Sequence, residues 1–165
     1  MVSTPINGNF LAEYIRMRYI SCQPNNISFN TVWWLTMDES FKLLIIDDNE
    51  EILIALNDFF SGQNFDVISA TNGLDGLKLI ESHKGSIDLI ITDLVMPNVS
   101  GVAVISIVKK KYPEIPIIAI TGWGEHPESL AEEAEADLVL EKPFDLTDLN
   151  NFTNEILNRN KAGSS

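Results

Sequence analysis

Cysteine is nearly absent from this chain: Cys22 is the only one. No disulfide can form within it, which points to a reducing compartment. Positive charge is scarce as well. There are 11 Lys and Arg against 24 Asp and Glu, a formal net charge of -13. Phosphate backbones select basic patches, so this balance argues against nucleic acid as a partner. A bound cation, or a basic or cation-bridged partner, fits this balance instead. No apolar run approaches the roughly 20 residues that cross a bilayer, and no membrane partner is expected. The N-terminus lacks the charged start and long apolar stretch of a secretory signal. A cytoplasmic location is expected. What is present is the composition of a folded soluble protein, 45% hydrophobic and 21% charged over 165 residues. That length suffices for one ordinary domain with a real core.

The chain reads as two unequal parts. Residues 1–37 hold only Glu13, Arg16 and Arg18 as charges, a net of +1, so the remainder carries -14. This first part is rich in Asn and Ser, includes the pair Trp33-Trp34, and has one possible helix, Phe10 to Ile20. It contains no catalytic or phosphate-binding motif and is expected to be an N-terminal extension. Met37-Asp38-Glu39-Ser40 reads as an alternative start. Residues 38–160 form the expected domain, and 161–165 a short tail.

Strands and helices alternate from Lys42 onward. Helical apolar spacing runs from Glu50 to Phe60, with a stop at Ser61-Gly62. A second helix, Asn72 to His83, carries Leu74, Leu77 and Ile80 on one side. A third, Val102 to Tyr112, turns Val102, Ile105, Val108 and Tyr112 inward, and a weakly amphipathic fourth spans Pro127 to Ala134. Asp145 caps a last helix expected to bury Leu146, Leu149, Phe152 and Ile156. Between them lie short strands, the second at Asp66 to Ala70. Five βα units predict an α/β fold, a doubly wound five-stranded parallel sheet with helices on both faces.

Four of the strand-like runs end in residues suited to phosphate chemistry. Leu43 to Ile46 leads into Asp47-Asp48, and Leu89 to Ile91 into Thr92-Asp93. Ile117 to Ile120 leads into Thr121, and Leu138 to Leu140 through Glu141 into Lys142-Pro143. Ligands of open parallel sheets sit outside the carboxyl ends of the strands. Carboxylates, a hydroxyl and an ammonium thus meet at one edge, a set that can hold a divalent cation and a phosphoryl group together. Singly, each has a bland alternative. Paired aspartates often cap a helix, Asp93 could merely open a loop, Thr121 is an ordinary strand residue, and a lone lysine is usually solvated. The joint order is far more specific than any one of them.

Here the chain resembles the receiver domain of two-component response regulators. The matching stretches are Ile45-Ile46-Asp47-Asp48-Asn49-Glu50, Ile91 to Pro97 with Ser100-Gly101, Ile120-Thr121-Gly122, and Glu141-Lys142-Pro143-Phe144. The resemblance covers about Phe41 to Arg159 and implies a flavodoxin-like strand order of 2-1-3-4-5. It implies that Asp93 is the phosphoacceptor, that Asp48, Asp93 and the Val95 carbonyl ligate Mg²⁺, and that Asp47 acts largely through water. Lys142 and Thr121 would hold phosphoryl oxygens, and a cis peptide would precede Pro143. The implied partners are a histidine kinase or histidine phosphotransfer protein and a downstream protein. Output would come from the surface of the fourth helix, fifth strand and last helix.

Three positions depart from the family's pattern. Val139 stands where an aromatic is common, three residues before Lys142. Glu135 replaces a common Gly, and Trp123 adds bulk two residues after Thr121. Val95 and Trp123 cannot hold an attacking water well, so slow self-dephosphorylation is expected. The whole reads as a stand-alone phosphorylation switch and not an enzyme. A phosphorylation-independent interaction module on the same fold is the alternative. A phospho-aspartate phosphatase needs Asp-x-Asp-x-Thr after its first strand, which Asp47-Asp48-Asn49 does not supply. A flavin module is disfavoured by the acidic edge.

Overall fold

The computed structural model describes residues 40–83, 85–122 and 135–163. The extension 1–37, Trp123 and the helix expected at 127–134 lie outside the described residues. All that is described falls within one unit, Ser40–Ser165. In chain order it comprises β1 (Lys42–Ile46), α1 (Glu50–Gly62), β2 (Asp66–Ala70), α2 (Gly73–Ser82), β3 (Leu89–Asp93), α3 (Gly101–Lys111), β4 (Ile117–Thr121), β5 (Leu138–Glu141) and α4 (Leu146–Gly163). Among the described residues, no helix is long and apolar enough to cross a membrane.

The five strands form one parallel sheet in the order β2-β1-β3-β4-β5. The central strands are apolar at nearly every position because both faces are covered. Alternate residues serve opposite layers. Leu44, Ile46, Ile90, Ile117 and Ala119 pack with Ile80 of α2 and with Val104, Ile105 and Val108 of α3. Leu43, Ile45, Leu89, Ile91, Ile118 and Ile120 pack with Leu53, Leu56 and Phe60 of α1 and with Leu149 and Leu157 of α4. β2 and β5 lie at the sheet edges and are only partly covered.

Each helix start has a polar cap. Asn49, Asn72 and Ser100 accept backbone N–H bonds at α1, α2 and α3. Asp145 accepts from Thr147 N at 2.6 Å, and that bond holds its carboxyl below the usual carboxylate range.

Several expected details are corrected. Leu74 is 53% exposed; α2 instead buries Gly73, Gly76 and Ile80. A side chain at Gly76 would put its first carbon 2.5 Å from Ile46 Cδ1, so the helix approaches β1 at Gly76, while Gly73 lies against Val99 and Val104 and Leu74 turns outward. Phe152 is exposed as well. The inner stripe of α4 is Leu149, Thr153 and Leu157, and the Thr153 hydroxyl is satisfied by Leu149 O at 2.8 Å. In α3, Val104 is fully buried and Val102 only partly. Helix α1 runs to Gly62, and the left-handed residue that follows is Asn64, φ 68°. Glu135 also has a left-handed backbone, φ 51°, a conformation that favours glycine. Helix α4 continues to Gly163, into the segment expected as a tail.

Candidate functional site

The strand register assembles the site. Ile46 lies beside Thr92 in the β1–β3 pair, which carries Asp47 to the level of Asp93. Asp93 pairs with Ile120, so Thr121 stands one step further along β4, opposite Glu141 of β5. Lys142 follows at once, with its backbone N–H on Thr121 O at 2.8 Å. The Lys142–Pro143 peptide is cis.

Asp47, Thr92, Asp93 and Thr121 are buried, while Asp48 is exposed. One carboxylate oxygen from each of Asp47, Asp48 and Asp93 lies within 4.8 Å of the others. Lys142 Nζ donates to Asp93 Oδ2 at 2.6 Å and to Asp47 Oδ2 at 3.0 Å. Partial burial alone would favour the neutral amine. Hydrogen bonds and attraction from the two carboxylates outweigh that, and the Lys142 pKa stands above the ordinary lysine value. Three carboxylates facing one ammonium leave negative charge uncompensated. An all-oxygen donor set with one member open to solvent suits a hard divalent cation.

The remaining oxygens are held by the backbone. Asp47 Oδ1 accepts from Asn49 N at 2.8 Å, and Asp93 Oδ1 from Val95 N at 3.1 Å. The Val95 side chain is about half exposed beside the site. Thr121 is brought to the same edge, but among the described residues its hydroxyl reaches only Gly122 O, at 3.5 Å. Among the described residues it makes no hydrogen bond to the acids or to Lys142.

Two residues matter more than sequence reasoning suggested. A side chain at Gly101 would put its first carbon 1.9 Å from the Asp93 carbonyl oxygen, so α3 starts directly against the backbone of Asp93. Asn49 both caps α1 and donates to Asp47. An Asn between two acid pairs, just before a helical apolar pattern, was the available signal for the cap.

Comparison with known proteins agrees with this architecture. The family model for the response regulator receiver domain matches residues 43–154, and the chain belongs to that family. It is 35% identical over 118 residues to the response regulator SaeR of Staphylococcus epidermidis, covering 71% of this chain and 50% of that protein. It is 34% identical over 126 residues to a transcriptional regulatory protein, the CpxR homolog of Haemophilus influenzae, covering 75% and 53%. Among solved structures, a response regulator receiver domain protein from Clostridium thermocellum superposes with a TM-score of 0.70 at 32% identity, covering 74% of this chain and 98% of that one. The chain spans about half the length of these curated relatives.

Proposed function

We propose that this receiver is a phosphoacceptor, modified on Asp93 by a histidine kinase or histidine phosphotransfer protein, and that it signals by binding a downstream protein. The observation that carries the reading is Lys142 Nζ at 2.6 Å from Asp93 inside a three-carboxylate cluster. In the proposed step an Asp93 oxygen attacks the phosphorus of a phosphohistidine. The phosphorus–nitrogen bond breaks, its electron pair stays on the imidazole, and an acyl phosphate forms. Lys142 stays beside the transferred group as a point charge. Thr121, one step along the neighbouring strand, offers a hydroxyl to a phosphoryl oxygen. Val95 N–H holds the other Asp93 oxygen and orients the carboxylate.

The cation proposed is Mg²⁺, held by Asp48, Asp93 and the Val95 carbonyl, with Asp47 acting through water. Asp47 and Asp93 each have both oxygens in protein hydrogen bonds, so the indirect role of Asp47 rests on the family resemblance. When bound, the ion offsets the negative charge that crowded carboxylates present to a phosphoryl group. Downstream binding is assigned to the surface of β5 and α4; the helix expected at 127–134 lies outside the described residues.

Intact-mass measurement after incubation with acetyl phosphate and Mg²⁺ tests the reading. One added phosphoryl mass, labile to hydroxylamine, is expected for the natural protein and none for Asp93→Asn. Equal occupancy in that variant would move the acceptor elsewhere.

A further inference from the structure

We infer that Asn49 is a positioning residue for the acid pair: its side chain locks the turn that delivers Asp47 and Asp48 to the carboxylate cluster. The inference rests on the reading of that cluster as a Mg²⁺ site.

The chain must turn from β1 into α1 within residues 47–49, and two side chains build the turn. Asp47 Oδ1 accepts from Asn49 N at 2.8 Å. Asn49 Oδ1 accepts in turn from Glu51 N at 2.9 Å and Ile52 N at 3.3 Å, and Asn49 O from Leu53 N at 3.0 Å. One residue is therefore tied to the cluster through its N–H and to the helix through its side chain and carbonyl. Helix α1 is itself fixed by Leu53, Leu56 and Phe60, all buried in the core. Its placement reaches Asp47 through Asn49. Asp48 is the exposed residue between the two, so the same turn sets its backbone.

The residue type matters too. Asp47, Asp48, Glu50 and Glu51 already put four carboxylates into five positions. Asparagine supplies the cap's acceptor without a fifth negative charge. The Asn49 side chain holds the turn and not a ligand; residues that hydrogen-bond metal ligands directly typically change affinity by roughly 10–100-fold when removed. A turn-fixing side chain falls at the lower end of that range.

The test is Mg²⁺ titration calorimetry together with thermal denaturation, on the full chain. Asn49→Gly is the informative variant, because glycine at a helix cap costs only about a few tenths of a kcal/mol relative to asparagine. It should melt near the natural protein yet bind Mg²⁺ about tenfold more weakly. Asn49→Ser, which restores an acceptor, should recover most of the affinity. Asn72→Ala removes the equivalent cap of α2. It should lower the melting temperature and leave Mg²⁺ affinity unchanged. Natural affinity in Asn49→Gly, or an equal loss in Asn72→Ala, overturns the inference. If the natural protein takes up no Mg²⁺ saturably, or Asp48→Ala binds it equally well, the metal-site reading itself fails, and the inference with it.

Discussion

Among the lysine–aspartate pairings of the described residues, those of Lys109 and Lys142 sit at opposite ends of the sheet. At the end where β4 and β5 begin, Lys109 Nζ meets Asp137 Oδ2 at 2.6 Å and Ile115 O at 3.3 Å. The same Asp137 oxygen accepts from Ile117 N at 2.7 Å, and Asp137 N donates to Ile117 O at 2.9 Å. One charge answers one charge, and backbone groups complete the set. The centre clasps α3 to β4 and to the start of β5, and its electrostatics are closed. At the carboxyl end, Lys142 is shared between Asp47 and Asp93 with Asp48 close by. The same chemical groups are present in the wrong ratio. Unbalanced charge at a buried site costs stability unless something else supplies the missing charge. The balanced centre is therefore read as structural and the unbalanced one as a place for a cation and a phosphoryl group.

The largest effect expected from this contrast is metal-dependent. Mg²⁺ at a hundredfold excess over its dissociation constant should stabilise the natural fold by about 3 kcal/mol, by mass action. Asp48→Ala should lose most of that gain. In metal-free buffer the same substitution should be neutral or slightly stabilising, because it removes one of three like charges. A full Mg²⁺-dependent rise in Asp48→Ala, read by thermal denaturation, would break the contrast.

Asp137→Ala is the counterpart at the other end. It leaves Lys109, whose side chain is only 13% exposed, without its counter-charge and Ile117 N–H without its acceptor. The loss should be about 1–3 kcal/mol with or without Mg²⁺. Urea denaturation measures it, and phosphoryl uptake by the folded variant should be unchanged. Mg²⁺-dependence of that loss would show that the two centres are not independent.

Much of this contrast was legible in the sequence because it depends on order along strands. Apolar runs buried on both faces mark where a parallel strand lies, and the residue after each run falls at the ligand-binding edge. This order placed Asp93, Thr121 and Lys142 at that edge, while their roles were implied by the family resemblance. What was not legible depends on close approach. Leu74 has the spacing of a core residue, but Gly76 lets α2 settle so near Ile46 that the helix turns Leu74 outward. Phe152 loses its inner place to Thr153, a polar residue made buriable by a bond to its own helix. The Lys109–Asp137 clasp joins residues 28 apart, and neither has a local motif to announce it. The Thr121 hydroxyl was expected among the polar groups of the site. Its backbone is there, while the hydroxyl faces Gly122 O.

The smallest expected effect concerns the Lys142 ammonium alone. Its pKa is raised in the folded protein, with partial burial opposing and the bonds to Asp93 and Asp47 prevailing. The folded state thus holds this proton more tightly than the unfolded chain does. The resulting stability is fully present below the ordinary lysine pKa and is lost as pH rises through the higher folded value. In metal-free buffer, raising the pH beyond about 10 should lower the melting temperature of the natural protein more steeply than that of Lys142→Met. The variant's absolute stability is not the readout, since Asp47 and Asp93 lose their partner in it; the slope against pH is. Equal slopes would mean that the two aspartates do not hold the lysine proton in the folded state. The carboxyl-edge centre would then be as weakly coupled as an exposed ion pair, and the contrast with the Lys109 clasp would lose its electrostatic basis.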